Sequence, residues 1–498
     1  MECDANITCE NANNEKKSFF DKVMNKKKQL IIVGIIIACV LVSCILFNTI
    51  RKSGRYTILH NQMDCTFFGA EEGLFYNWNG DILDTDISSS SVWYSPGYVI
   101  ALTVDEEDNG VYILKKNGEE LLDEDISNIV FSDDGDSIAY VKDKEGDFFG
   151  DLYVYTVSSG KKTKIDTDVY FYHIILSPNG KTVAYIKDAE INQLGNEIGD
   201  IYVSVNLKKG EKRYKKSQPI AVSDGGKYVY YIKEREKLYM NDTKISSSYD
   251  PNFIFNENYK ELLFNEDGEL YYFTVNSNDA KRLKKEKITD ICMPENTKKI
   301  TYNSLDFFSK RVRGVDTFNN TVLEIDNSLY YMTKKGEELE KITDAFYTYQ
   351  IAQDGNSLLY LDENRDLVYI SDLDKSREGI CIGEDLEIDE FKASSDLKKV
   401  YYVSDDELFW LKDGEATRIS DVDSWLYSDK YGVVYFIDDD ELFYATKNVK
   451  SKKKIMGETV QSMSKIWDEI SFTFEEDDEK VIYLINGKGK YKKIIQIN

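Results

Sequence analysis

The sequence predicts an all-β chain of about eleven small antiparallel units stacked one on the next, carried behind a single N-terminal membrane helix. Three observations predict it. A phrase recurs, DGDSIAYVKD then GDLYVYTV (Asp134 to Val157) and again NGKTVAYIKD then GDIYVSV (Asn179 to Val205). Composition agrees, because 36 Tyr and 24 Phe against 5 Pro suit half-buried pleated surfaces rather than a disordered chain. One uncharged apolar run, LIIVGIIIACVLVSCILF from Leu30 to Phe47, continues to Ile50 and reaches bilayer length.

In chain order, residues 1–29 are expected to be a cytoplasmic segment and 30–50 the transmembrane helix. Lys16, Lys17, Lys22 and Lys26 to Lys28 precede the apolar run, and only Arg51, Lys52 and Arg55 follow it closely. The heavier positive cluster stays inside, so the remainder faces outward as a single-pass cell-membrane protein. A competing reading is cleavage: Leu41 to Cys44 spell LVSC, which looks like a bacterial lipoprotein box and would leave Cys44 lipidated. Against it, the charged leader is long and Ile45, Leu46 and Phe47 carry the apolar run past the cysteine. Both readings put the same domain outside the same membrane.

Beyond the anchor the repeat aligns on Tyr140, Tyr185, Tyr231, Phe264, Tyr302, Tyr360, Tyr402, Tyr435 and Phe472, with weaker members near Phe68 and Ala101. Each is followed by a second aromatic strand, as in ELYYFTV from Glu269, SLYYMTK from Ser328 and ELFWLKD from Glu407. The apolar runs are short, rich in Val, Ile, Tyr and Phe, and bounded by DG, NG and GG turns, which fits strands and not helices. Units of this length must stack on neighbours to bury their faces. Four strands per unit, arranged radially, give a β-propeller, whose edges are short and protected.

At Ile175 to Val205, ILSPNGKTVAYIKD followed by GDIYVSV, the chain resembles the TolB-type (WD40-like) propeller repeat, and Val130 to Asp143 matches nearly as well. Other units keep the strands and lose the Ser-Pro-Asp-Gly core, as in FKASSDLKKVYYV from Phe391. The resemblance implies a fold and no activity, since this repeat serves scaffolds, peptidase regulatory domains and sugar-binding proteins alike. Eleven units exceed the usual four to eight blades of one ring. Two propellers in tandem are therefore expected, a first region at 51–290 and a second at 291–498.

The chemistry-bearing residues exclude more than they assign. The formal charge is −26, which opposes a phosphate backbone and excludes nucleic acid as a partner. Solubility accounts for the acidity, and a cationic partner would also use it. Only His60 and His173 are present, and GxSxG, HExxH and P-loop motifs are absent. His173 is expected at the start of a repeat strand in a structural role. The seven Cys form no CxxC pair, and neither a disulfide framework nor a zinc site follows from them. Acids concentrate in turns: Asp133, Asp134 and Asp136; Glu266 and Asp267; Asp405, Asp406 and Glu407; Asp438 to Asp440. Turn chemistry explains them. No cofactor is expected, although DEEDNG (Asp105 to Gly110) and SDDGDS (Ser132 to Ser137) offer oxygens that suit calcium.

The most distinctive stretch off the repeat is a basic insertion, Asn303 to Thr321, between the strands of the seventh unit. Phe307, Phe308, Lys310, Arg311 and Arg313 are its candidate partner contacts, because aromatic and Arg side chains make good interface anchors. The sequence thus points to a membrane-anchored extracytoplasmic propeller that binds or scaffolds a protein, peptide or cell-wall glycan. The alternative is a carbohydrate-active or peptidoglycan-processing enzyme with a carboxylate pair about 5 to 10 Å apart in the channel.

Overall fold

A computed structural model describes residues 68–497 except 72–73, 77–81, 85–91, 95–100, 105–109, 116–117, 144–147, 192–196, 234–236, 248–252, 278, 285–290, 293–299, 303–308, 313–317, 319, 334–337, 353–354, 385–389, 413–414, 458, 467–468, 477–478 and 488. The expected cytoplasmic segment 1–29, the span 30–50 and Cys44 lie outside the described residues. Among those that are described, no helix is long and apolar enough to cross a membrane.

The described residues form ten sheets, antiparallel but for one pairing in the fifth, and consecutive strands are hydrogen-bonded neighbours almost throughout. The third sheet is representative: Ile126–Phe131, Ser137–Asp143, Phe149–Thr156 and Lys161–Tyr170 follow one another as a meander. Its second strand reads as a near-continuous apolar run because both of its faces are covered. Ile138 and Tyr140 pack on the second sheet, and their alternates Ala139 and Val141 pack on the fourth. Seven more pairs of successive units share a buried cluster of this kind, down to Tyr435 and Phe472 between the last two sheets. The core is therefore a series of slabs between sheets.

First strands lie side by side across neighbouring sheets: Ile126–Phe131 against Ile175–Leu176, Phe346–Ile351 against Glu390–Ala393, and Ser424–Ser428 against Val460–Ile466. Sheets stacked face to face with their first strands converging are blades, and the arrangement is that of a β-propeller.

Two departures from one unit per sheet have local causes. The fourth sheet has seven strands because Glu211–Val222 closes the unit of Tyr185 and opens the unit of Tyr231. That strand bends at a bulge between Pro219 and Ala221, where proline supplies no N–H to the ladder. The second departure corrects the alignment of the repeat. Tyr302 is not the equivalent of Tyr140. It ends a short strand, Ile300–Tyr302, that pairs with Ser309–Val312, and this hairpin joins the first strand of the fifth sheet, with Ile254 opposite Lys310 in parallel register. The true equivalent is Leu323, on Thr321–Ile325, which faces Tyr330 as Tyr140 faces Tyr153. The sequence misled because LEI carries no aromatic at that place, whereas the hairpin's ITY does. The longest interval between units therefore runs from Phe264 to Leu323.

Candidate functional site

Antiparallel meanders sort their connections onto two ends. First-to-second and third-to-fourth connections share one end; second-to-third connections and the links to the next sheet share the other.

The first-to-second turns are built alike. In the third sheet the buried Ser132 Oγ accepts from Ser137 N at 2.9 Å and donates to Asp134 Oδ1 at 2.6 Å, and Asp134 accepts from Asp136 N at 3.0 Å. Ser177 and Asn179 repeat this with Thr182 N and Lys181 N, and Ser394 and Asp396 with Lys399 N and Lys398 N. These turns also tie neighbouring sheets together, for Asp134 N donates to Pro178 O and Asn179 N to Asp224 Oδ1. The SDDGDS loop is thus an architectural turn. DEEDNG lies outside the described residues apart from Gly110, and no group of three or more metal-ligating side chains forms among the described residues.

Acids elsewhere have two recurrent duties. Asp405 and Asp406, and Asp439 and Asp440, are the paired left-handed residues of two-residue hairpins, a geometry that Asp and Asn tolerate. Asp123 and Asp166 instead clamp one sheet to the next. Asp123 accepts from Tyr140 OH at 3.1 Å and from Lys142 and Lys162 at 2.8 Å; Asp166 accepts from Tyr185 OH at 2.7 Å and Lys187 at 3.4 Å. Burial pushes the Asp123 carboxyl upward, and the two lysine hydrogen bonds overcome it, leaving a pKa of about 2. Burial next to Asp123 and Asp166 drives the Tyr140 and Tyr185 hydroxyls far above their ordinary value, so these tyrosines donate and do not ionise.

The other end carries the surface that best fits a binding site. Phe148, which leads into the strand Phe149–Thr156, meets the link Phe171-Tyr172-His173 between the third and fourth sheets. Phe148 stacks on Phe171 at 5.7 Å between ring centroids, Phe171 lies 4.3 Å from Tyr172, and Tyr170 sits 5.3 to 5.7 Å from Phe149, Phe171 and Tyr172. The link is held from below: Phe171 N donates to Phe148 O at 3.2 Å, and Asn128 Nδ2 donates to Phe171 O. Phe148 is 59% exposed and Tyr172 45%, so the ridge presents aromatic faces to solvent.

Behind it, Tyr170 OH donates to Glu197 Oε1 at 2.5 Å. The second oxygen of Glu197 is 3.2 Å from His173 Nε2, close enough for attraction but without the alignment of a hydrogen bond. Gln218 Nε2 is 3.2 Å from His173 Nδ1. Burial lowers the His173 pKa more than Glu197 raises it, so the imidazole is neutral at pH 7. Burial and Glu197 both raise Tyr170 well above an ordinary phenol. Glu197 is thus braced by a buried phenol and a neutral imidazole, at the edge of an aromatic surface.

Of the five contacts expected from sequence, Phe307, Phe308 and Arg313 lie outside the described residues. Lys310 and Arg311 fall on the strand Ser309–Val312, paired in parallel with Phe253–Phe255, where the sequence suggests a loop. His173 stands in the link before Ile175–Leu176 and not on a strand. The ridge itself escaped sequence reading, although DFF (147–149) and YFYH (170–173) were visible as aromatic runs off the repeat.

No family model matches the chain, and no curated protein does. Among solved structures it is similar to a eukaryotic initiation factor, with TM-score 0.37, 11% identity, and coverage of 80% of this chain and 96% of that one. It is also similar to the GH74 enzyme of Niastella koreensis, with TM-score 0.29, 11% identity, and coverage of 85% and 75%. A third is the β-propeller domain of Myceliophteria thermophila Cps50 (Swd1), with TM-score 0.24, 9% identity, and coverage of 63% and 92%. Such likeness concerns fold alone, and the fold assignment rests on the sheets described above.

Proposed function

We propose that the protein is a membrane-anchored extracytoplasmic propeller that binds or scaffolds a protein, peptide or cell-wall glycan, with 30–50 as its single span and its blades divided between regions 51–290 and 291–498. The apolar run and the lysines before it support the anchor and its orientation. The observation that carries the binding role is the solvent-facing ridge of Phe148, Phe171 and Tyr172. Contiguous exposed aromatic surface is uncommon on a protein without a partner, and links between adjacent blades are where propeller surfaces diversify. Binding is favoured over hydrolysis because the described acids of the hairpins and clamps already have structural duties. The basic insertion, through Phe307, Phe308, Lys310, Arg311 and Arg313, is a second contact region in this reading.

The test is a photo-crosslinking amino acid placed at Phe148 in the full chain in its own cells, with the same group at Tyr491, which is exposed on the opposite end of the last sheet. A discrete adduct from position 148 and none from 491 is expected. Identical patterns at both positions, or none at either, overturn the binding role. For the anchor, Cys44→Ala should leave gel mobility and membrane retention unchanged; a loss of retention would instead support the lipoprotein reading.

A further inference from the structure

Exposed aromatic rings collect on one end of the blades. Phe148, Tyr172 and Tyr347 are 59%, 45% and 61% exposed and all stand on the ridge end, whereas Tyr491, at 41%, stands on the other. Tyr347 belongs to the seventh sheet, yet it holds the place in its blade that Tyr172 holds in the fourth. Ser177 N donates to Thr182 O and Ala352 N to Ser357 O where the first turns open, and each tyrosine precedes that residue by five positions. Both therefore mark the approach to a first strand, where the blades converge. A bulge between Phe346 and Thr348 takes Tyr347 out of the ladder and turns its ring outward. Each ring is backed and not enclosed. Phe148 leans on Phe171, Tyr172 on Tyr170 and Phe171, and the Arg365 guanidinium lies 5.6 Å from the centre of the Tyr347 ring. The described acids that flank the ridge already have cationic partners: Asp151 pairs with Lys164 at 2.6 Å, Glu190 with Lys216 at 2.9 Å, and Asp200 with Lys212. Ring faces and hydrogen-bonding groups are what remain for a ligand. Glu197 supplies the latter, since its side chain is 32% exposed beside the ridge.

We infer that the ridge end is the docking face for a neutral, β-linked glycan chain of glucose configuration, whose sugar rings lie flat on Phe148, Tyr172 and Tyr347 while Glu197 accepts from a hydroxyl. This rests on the binding role proposed above and adds the chemistry of the ligand. In such a sugar every substituent is equatorial, so both faces of the ring carry only C–H groups and the edge carries the hydroxyls. The electron-rich face of an aromatic ring attracts those C–H groups, and a few polar side chains beside it fix the orientation. Shape and charge decide among the occupants. A peptide would bury its apolar side chains in a concavity, and these rings stand proud of the surface. A charged ligand would find the flanking acids already paired. A flat, uncharged ring needs only the platform, and platforms on separate blades suit a chain of several sugars and not a single one. The association is therefore expected to withstand added salt, because no ion pair holds it.

The experiment titrates chitohexaose into the full chain in lipid nanodiscs at low and high salt, and reads the bound sugar by saturation-transfer NMR. The paired variant Phe148→Ala with Tyr172→Ala removes the rings of the ridge, Tyr347→Ala removes the platform on the seventh sheet, and Tyr491→Ala is the control on the opposite end. Chitohexaose should bind the parent equally at both salt concentrations, with saturation strongest at the axial sugar protons. Affinity should fall about tenfold in the paired variant and about fivefold in Tyr347→Ala, the loss of stacked ring faces, and stay unchanged in Tyr491→Ala. Equal affinity in the parent, the paired variant and Tyr347→Ala overturns the inference, because the sugar would then sit elsewhere. Binding that collapses at high salt overturns the neutral class. No binding of chitohexaose, together with a protein adduct from position 148, overturns the glycan class while leaving a binding role standing. No binding and no adduct overturn both.

Discussion

The third and fourth sheets and the fifth and eighth make the same first turn in two ways. In the former, Gly135 and Gly180 occupy the left-handed position at φ 72° and 66°. In the fifth it is Tyr259 at φ 56°, and in the eighth Leu397 at φ 55°. The hydrogen bonds are alike in both, with Asn256 in the fifth sheet accepting from Glu261 N as Ser177 does from Thr182 N. The polar scaffold therefore sets the turn, and the left-handed residue answers a different demand. Tyr259 and Leu397 send their side chains into the core, 4% and 5% exposed. At Gly180 there is no such room, because an added Cβ would lie 2.2 Å from Ser137 Oγ on the preceding sheet. The Asn-Gly of the repeat is thus a record of how closely two blades approach.

The sharpest way to break that comparison is a pair of alanines. Gly180→Ala adds a Cβ to a left-handed backbone and drives it into Ser137, so unfolding in urea should show a loss of about 3 kcal/mol. Gly355→Ala makes the same change at φ 77° in the seventh sheet, where nothing lies within 4 Å of the new atom. It should lose only about 1 to 2 kcal/mol, the backbone cost alone. Equal losses would show that blade proximity is not what selects glycine.

The clamps come next. Asp166→Ala leaves the Tyr185 hydroxyl buried without its acceptor, and the expected loss is about 2 kcal/mol, visible as a lower urea midpoint. Asp123 adds a pH signature. Its folded pKa, about 2, lies below the ordinary carboxylate value of about 4, so its contribution is complete above pH 4 and fades as pH falls toward 2. Asp123→Asn should therefore cost about 1 to 2 kcal/mol at pH 6, with the gap to the parent closing between pH 4 and 2. A gap that persists at pH 2 would assign the loss to packing and not to charge.

The blades were legible because both faces of their second strands are buried, which writes Val, Ile, Leu, Tyr and Phe continuously between turn residues. Even the acidic turns could be read, since paired left-handed positions favour Asp and Asn. Legibility failed where the same letters served another purpose. ITY at Tyr302 looked like a second strand and is half of a hairpin on the neighbouring sheet, and Leu323, the real equivalent, lacks the aromatic. The ridge was hidden for the opposite reason. Phe148, Phe171 and Tyr172 flank the two most regular units, so no break in the repeat marks them. A connection can change its side chains without disturbing the strands it joins, and a regular blade therefore carries no information about its links.

The smallest expected effect separates ridge from blade most cleanly. Tyr140 and Tyr185 are wholly buried, whereas Phe148 is 59% exposed and rests on Phe171 by one face. If the ridge is a surface held ready for a ligand, Phe148→Ala should change the urea midpoint by no more than about 0.5 kcal/mol, as for other exposed positions. Tyr170→Phe, one layer down, should cost about 1 kcal/mol, because it removes the donor to Glu197 Oε1. That order, with the exposed ring cheaper to lose than a single buried hydroxyl, is what a presented surface requires. If Phe148→Ala proves the costlier, the ridge is a cap that closes the gap between the third and fourth sheets, and its aromatic faces are packing.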